Sequence, residues 1–313
     1  MAHSYRIRKY LNLEHGLVFA ITGGYLLLFD RLTGLRSEHL VLSLFCIFSY
    51  LIHPVGKKFV LGFSAFLIYW VLWDGMKAFP NFWFHEVSVE GIYSLEKEWF
   101  GVIDHGTKIT INEFMLQSVT AWKDILSAIC YFSWVPIPLI FGAYLFFIKP
   151  DALLLYSLCF LVSNLIGFIL YYTLPAAPPW YVALYGFSFN ADTPGHAAGL
   201  LRTDDLLGIH LFRGMYAKSS NVFAAFPSLH AAYPLVAFFY AFKNKLVKWS
   251  FLLLCLSMGI WWSALYTQHH YLVDVLAGIG CGVTGFIIIE LLHSKSKIFK
   301  SFISNFAKRI AIQ

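Results

Sequence analysis

The chain has 313 residues, 59% of them hydrophobic and 13% charged, with a mean hydropathy of +0.66. A soluble domain is about 45–50% apolar and about 25% charged, so composition excludes an ordinary soluble domain and predicts a polytopic membrane protein. The formal net charge of +6 does not call for a nucleic-acid partner, because the basic residues gather in short loops and tails, where they report orientation across a bilayer.

A spanning helix needs about 20 mostly apolar residues, with a range of about 17–25. Eight segments are candidates, the second of them short: Leu13–Phe29, Glu38–His53, Phe59–Met76, Asp124–Ile148, Ala152–Leu174, Phe226–Phe242, Trp249–Thr267 and His270–His293. Breaks fall at His53-Pro54, at Lys149-Pro150, and at Pro175 with Pro178-Pro179, where proline ends or interrupts a helix. With the N-terminus placed in the cytoplasm, the inner loops and tails hold fourteen of the 23 Lys and Arg residues. This predicts both termini inside. The compartment stays open between a bacterial inner membrane and the Golgi. The division expected is a two-helix extension over residues 1–58, a six-helix core over 59–293 and a basic cytoplasmic tail over 294–313. No cleavable signal is expected, since M-A-H-S-Y-R-I-R-K-Y is polar and no small-residue cleavage site follows.

Two long loops lie on the outer side. Residues 79–123 are acidic and aromatic, predicting short interfacial helices or a plain surface loop, with Trp83, Trp99 and Trp122 as anchors. Residues 175–225 carry Trp180, Tyr181, Arg202, Asp204, Asp205, Arg213, Tyr216 and Lys218. A loop of that length is usually functional or disordered, and this one leads directly to a histidine.

That histidine is His230, in Pro227-Ser228-Leu229-His230. Proline suits the first turn of a helix, and the amides of Ser228, Leu229 and His230, with the Ser228 hydroxyl, are candidate phosphate donors. The competing reading is a capped helix with an interfacial histidine. The second candidate stretch is S-A-L-Y-T-Q-H-H-Y-L-V-D, Ser263 to Asp274. On a helix, His270 and Asp274 at i, i+4 share a face. The carboxylate then orients the imidazole as nucleophile or base, or the two form a structural pair. Ser263, Tyr266 and Tyr271 line a pocket or pack. His269 points about 100° away from His270 on a helix and is expected to face water. Asp74 is expected to pair with Lys77, and Asn164 to hydrogen-bond between helices. The five cysteines, all in apolar segments, read as small hydrophobes. No metal cluster or cofactor motif is expected.

Together these stretches resemble the type-2 phosphatidic acid phosphatase superfamily, which carries P-S-G-H followed by S-R-x5-H-x3-D. Pro227, Ser228 and His230 match the first motif, with Leu229 in place of glycine. Ser263, His270 and Asp274 match the second, with Ala264 at the arginine position. The superfamily's earlier K-x6-R-P motif falls near Tyr171–Tyr181, which has no basic residue. These departures, with P-P-W-Y upstream and H-H-Y-x-x-D downstream, resemble the inositol phosphorylceramide synthase branch. The likeness covers about residues 150–290 and the stretch 96–114.

The resemblance implies an all-α membrane bundle of about eight helices with a six-helix catalytic core. It implies His270 as the nucleophile that becomes phosphorylated, oriented by Asp274, and His230 as the acid and then the base. No metal is needed. It implies transfer of inositol phosphate from a phosphatidylinositol-type donor to a ceramide-type acceptor on the non-cytoplasmic side. A phosphodiester carries less charge than a monoester, which fits the missing cations. Arg202, Arg213 or Lys218 is expected to reach the phosphate. The alternatives are a lipid phosphate phosphatase and a non-enzymatic transporter or scramblase.

Overall fold

The computed structural model describes residues 2–217 and 221–312. Among these the regular structure is helical apart from one hairpin and two isolated bridges. Helices α1 (Ala2–Leu32), α2 (Ser37–Ile52), α3 (Pro54–Gly62) and α4 (Ser64–Gly75) form the N-terminal part. The first outer loop folds into α5 (Glu90–Phe100), a hairpin of β1 (Val102–Asp104) and β2 (Thr107–Ile109), and α6 (Ile111–Leu116). His105 and Gly106 both take positive φ at the hairpin's tip, the backbone sense that two-residue turns favour. Trp83, Trp99 and Trp122 of this region are all exposed.

Then come α7 (Ala121–Phe132), α8 (Pro136–Ile148) and α9 (Pro150–Thr173). The second outer loop holds α10 (Pro179–Tyr185), α11 (Leu201–Leu207) and α12 (Leu211–Ala217). The chain closes with α13 (Leu229–Lys243), α14 (Val247–Tyr266), α15 (Leu272–Lys295) and α16 (Lys297–Ile310).

All eight apolar segments are helical, but not as eight straight spans. Four helices are long and apolar enough to cross a membrane, and two bent pairs raise this to six. The pair α3–α4 bends by 56° and α7–α8 by 44°. Proline opens α8, and it has no N–H to carry α7 through; the α3–α4 bend falls at Phe63, between Gly62 and Ser64. Helix α2 has 16 residues and α13 has 15, both below the usual spanning length. Helix α13 starts later than composition predicts because Phe226 to Ser228 stay outside the helix, the Ser228 amide donating to the Asp274 carbonyl at 2.9 Å. The protein is a multi-pass membrane protein built from these helices.

The centre of the bundle is α9, buried along most of its length against α4, α8, α13, α15 and α16. Asn164 on α9 accepts from the Tyr233 hydroxyl of α13 at 2.8 Å, the expected hydrogen bond between helices. Small residues let the backbones close up. A Cβ on Gly278 of α15 would run into the Ser228 carbonyl at the start of α13. Helix α16 lies along α9 and α3, with Ile303 and Ile310 buried.

Asp74 is buried and does more than the expected pairing with Lys77. Lys77 lies 2.9 Å away, but Arg36 at 2.6 Å and His39 at 2.7 Å also bind the carboxylate. A buried carboxylate needs such partners, and here they tie α2 to α4.

Candidate active site

His230 is the second residue of α13. His270 lies just before α15, in the tight turn 267–271 that follows α14. Gln268 takes φ +65 in that turn, and the amides of His269 and His270 both donate to the Ala264 carbonyl, at 3.0 and 3.1 Å. The turn brings Nε2 of His270 to 3.1 Å from Nδ1 of His230. The Tyr131 hydroxyl lies 3.1 Å from the same Nδ1.

The expected helical i, i+4 pair of His270 and Asp274 does not form as such, because α15 begins only at Leu272. Asp274 instead sits in the first turn of α15 and accepts the Tyr271 amide through Oδ2 at 2.8 Å. The same oxygen is 3.6 Å from His270 Nδ1. The nearer partner of that nitrogen is the Ala225 carbonyl, at 2.9 Å. A carbonyl only accepts, so Nδ1 carries the proton and Nε2 holds the lone pair. His270 thereby presents a nucleophilic nitrogen toward His230, with Asp274 close enough to stabilise positive charge on the ring.

Long-range contacts hold this turn and its flanks, and none was expected. Asn112 of α6 donates to the carbonyls of Leu265 and His270 at 3.0 and 2.9 Å. Glu96 of α5, fully buried, accepts the Val273 amide at 3.0 Å. It thereby caps the positive end of α15. Burial pushes the Glu96 carboxyl above the usual range, against the pull of the Val273 and Leu272 amides. Ala225 is placed by a three-segment bridge. The Ala177 amide donates to Ser88 at 3.0 Å, and the Ala176 amide to Phe223 at 2.9 Å.

His230 and His270 line one cavity of about 680 Å³, a size that suits a small-molecule or headgroup site. Trp180 lines it too, its ring tilted against that of His196 at 5.0 Å between centroids. His269 also lines it and is only 5% exposed, so the expectation of a water-facing ring is corrected. The turn, not a continuous helix, sets its direction. The cavity reaches Arg36, Asp74 and Lys77 at its other side.

Other expected site residues lie outside the cavity lining. Ser263 is buried and donates to the Gly259 carbonyl at 2.7 Å. Tyr266 donates to Asp124 at 3.0 Å, and Tyr181 to the Ser188 carbonyl at 2.7 Å. Arg202 does not reach the histidines, because Asp124 binds its Nε at 2.8 Å and its guanidinium lies over the Tyr266 ring. Arg213 is exposed, with Asp205 at 3.6 Å. Lys218 falls outside the described residues. The Ser228 hydroxyl is buried without a partner, but its amide is taken by Asp274, so the start of α13 is not the open amide cradle expected. Pro227 precedes the cap instead of standing in the first turn.

Residues 98–288 match the model of the PAP2 superfamily. The phosphoinositol dihydroceramide synthase of Bacteroides thetaiotaomicron is 39% identical over 94% of this chain and 97% of its own. The inositol phosphorylceramide synthase catalytic subunit of Saccharomyces cerevisiae is 30% identical over 91% of this chain and 69% of its own. The Candida albicans inositol phosphorylceramide synthase is 29% identical, over 74% and 48%. No solved structure matches. With its two motif histidines in contact inside one cavity, the chain belongs to the PAP2 superfamily, in the inositol phosphorylceramide synthase branch.

Proposed function

We propose that this enzyme moves inositol phosphate from phosphatidylinositol to ceramide and releases diacylglycerol. The observation that carries the reading is the contact between His230 and His270 in a cavity walled in part by aromatic side chains. The names of the relatives supply the substrates.

The reaction runs in two displacements. His270 Nε2 attacks phosphorus, and the bond to the diacylglycerol oxygen breaks. Protonated His230 gives its proton to that oxygen. The donor's own anionic phosphate favours the protonated ring. His230, now neutral, takes the proton of a ceramide hydroxyl. The ceramide oxygen attacks phosphorus, and the bond to His270 breaks. Asp274, 3.6 Å from Nδ1, offsets the positive charge on His270 in the covalent state.

The reading places both termini in the cytoplasm and the histidines on the opposite side, following the charge asymmetry. It takes residues 1–58 as an extension, 59–293 as the catalytic core and 294–313 as a basic tail.

Purified protein is incubated with labelled phosphatidylinositol, with and without ceramide. Labelled inositol phosphorylceramide formed only with ceramide supports the proposal. Free inositol phosphate or inorganic phosphate released regardless of ceramide replaces it with a hydrolase.

A further inference from the structure

Among the described residues, four side chains lining the cavity have buried polar atoms without a partner: Arg36 and Trp70, each at one nitrogen, and His269 and Asn221, which concern the headgroup here. His269 is 5% exposed, lines the cavity and has no partner at Nε2. Asn221 also lines it, and neither atom of its side-chain amide has a partner. Buried polar atoms are almost always paired, so these groups call for a ligand.

Hydrogen-bond direction identifies the ligand's chemistry. Thr267 Oγ1 donates its proton to the Ser263 carbonyl at 2.6 Å. Its oxygen therefore accepts from Nδ1 of His269, at 2.9 Å. In the neutral ring, Nε2 is then an acceptor only. Burial, with the nearby His270 and His230, holds His269 well below the usual histidine value, which keeps it neutral. An acceptor meets a donor, so this nitrogen suits a hydroxyl and not an unprotonated phosphate oxygen. His196, also at the cavity, has its Nδ1 taken by the Ala198 amide at 2.9 Å. Its Nε2–H is left to donate. Asn221 both donates and accepts. One acceptor, one donor and one amide match a ligand with several hydroxyls, each able to give and take a hydrogen bond. The ring of a polyol headgroup has that pattern, whereas inorganic phosphate does not.

We infer that His269 and Asn221, with His196, form a subsite that binds the hydroxyls of the donor's polyol headgroup, beside the reacting histidines. The inference rests on the proposed reaction for its choice of ligand, but it is tested by binding.

The full chain in detergent is titrated with myo-inositol 1-phosphate and, separately, with inorganic phosphate, by calorimetry. His269→Leu and Asn221→Ala should each weaken inositol phosphate binding about tenfold, the scale of one neutral hydrogen bond. Phosphate binding should change less than twofold. His269→Gln, which keeps an acceptor, should recover most of the loss. In the transfer assay, KM for phosphatidylinositol should rise with little change in kcat. Equal weakening of both ligands, or a loss confined to the KM for ceramide, overturns the subsite. So does inositol phosphate binding that is unchanged in both variants. A wild type that binds inositol phosphate selectively but transfers nothing overturns the proposed reaction and leaves the subsite standing. If His269→Leu does not fold, Asn221→Ala carries the same comparison.

Discussion

Nδ1 of His230 and Nε2 of His270 are 3.1 Å apart, so the two rings occupy the space that phosphorus must enter. An in-line displacement sets the nucleophile about 3 Å from phosphorus and the acid about 3 Å from the leaving oxygen, which separates the nitrogens by roughly 6–7 Å. Donor binding therefore has to part the rings. A structure with a non-reacting phosphatidylinositol analogue should show the two nitrogens more than about 5 Å apart. Rings still in contact beside a bound donor would remove His230 from the acid's place.

The same geometry divides the roles kinetically. His270→Ala should abolish transfer, since no nitrogen remains to form the covalent bond. His230→Ala should lower turnover by about 10²–10⁴-fold, the usual value of a general acid and base. Rate assays with purified variants check both. A His270→Ala enzyme with near-normal turnover would make His270 a structural histidine and move the covalent step to another group.

Glu96 gives a prediction about stability. Its carboxylate accepts the Val273 amide from a fully buried position. Glu96→Ala should cost about 1–3 kcal/mol by leaving that donor unpaired, and Glu96→Gln should cost much less. Thermal unfolding measures the difference. The pH dependence has a definite sign. The folded-state pKa is raised above the ordinary 4.5, so the folded form holds its proton more tightly. The favourable contribution is complete below about 4.5 and is lost as pH rises through the higher folded value. Glu96→Gln should flatten this part of the profile.

Gly278 sets how closely α15 approaches α13. A Cβ there would sit 2.7 Å from the Ser228 carbonyl carbon, and backbone cannot swing aside as a flexible side chain can. Gly278→Ala should push His230 away from His270 and reduce kcat by at least tenfold, since small misplacements of reacting groups are costly. Circular dichroism on the same preparation separates this from unfolding. Gly280 has open space around its Cβ position, and Gly280→Ala serves as the tolerant control.

Arg202 is a structural residue in this geometry. Asp124→Asn removes the negative charge that pairs with Arg202 and should destabilise the protein by about 2–3 kcal/mol. Arg202→Gln should likewise lower the melting temperature while the KM for the donor stays within twofold. A large rise in KM with unchanged stability would return Arg202 to the phosphate.

What could be read in advance was whatever neighbours in sequence decide. Apolar stretches located the helices, and the motifs singled out His230, His270 and Asp274, which the structure brings together. Composition does not register a bend, so α3–α4 and α7–α8 read as straight spans although they break by 56° and 44°. A helical wheel assumes a helix, and the 267–271 turn is not one. That is why His269 was expected in water and His270 on the face of Asp274. The supports of the site were hidden by distance along the chain. Glu96 lies 177 positions before Val273, and Asn112 lies 158 before His270. Arg202 looked free because its carboxylate, Asp124, stands 78 positions earlier.

The most direct test is to trap the covalent state. The enzyme is mixed with phosphatidylinositol labelled in its headgroup phosphate, without ceramide, quenched at alkaline pH and mapped by mass spectrometry. An inositol-phosphoryl group on His270 that disappears when ceramide is added is the result this mechanism requires. An unmodified His270 in an enzyme that still makes product, or a label carried by a different residue, would contradict it.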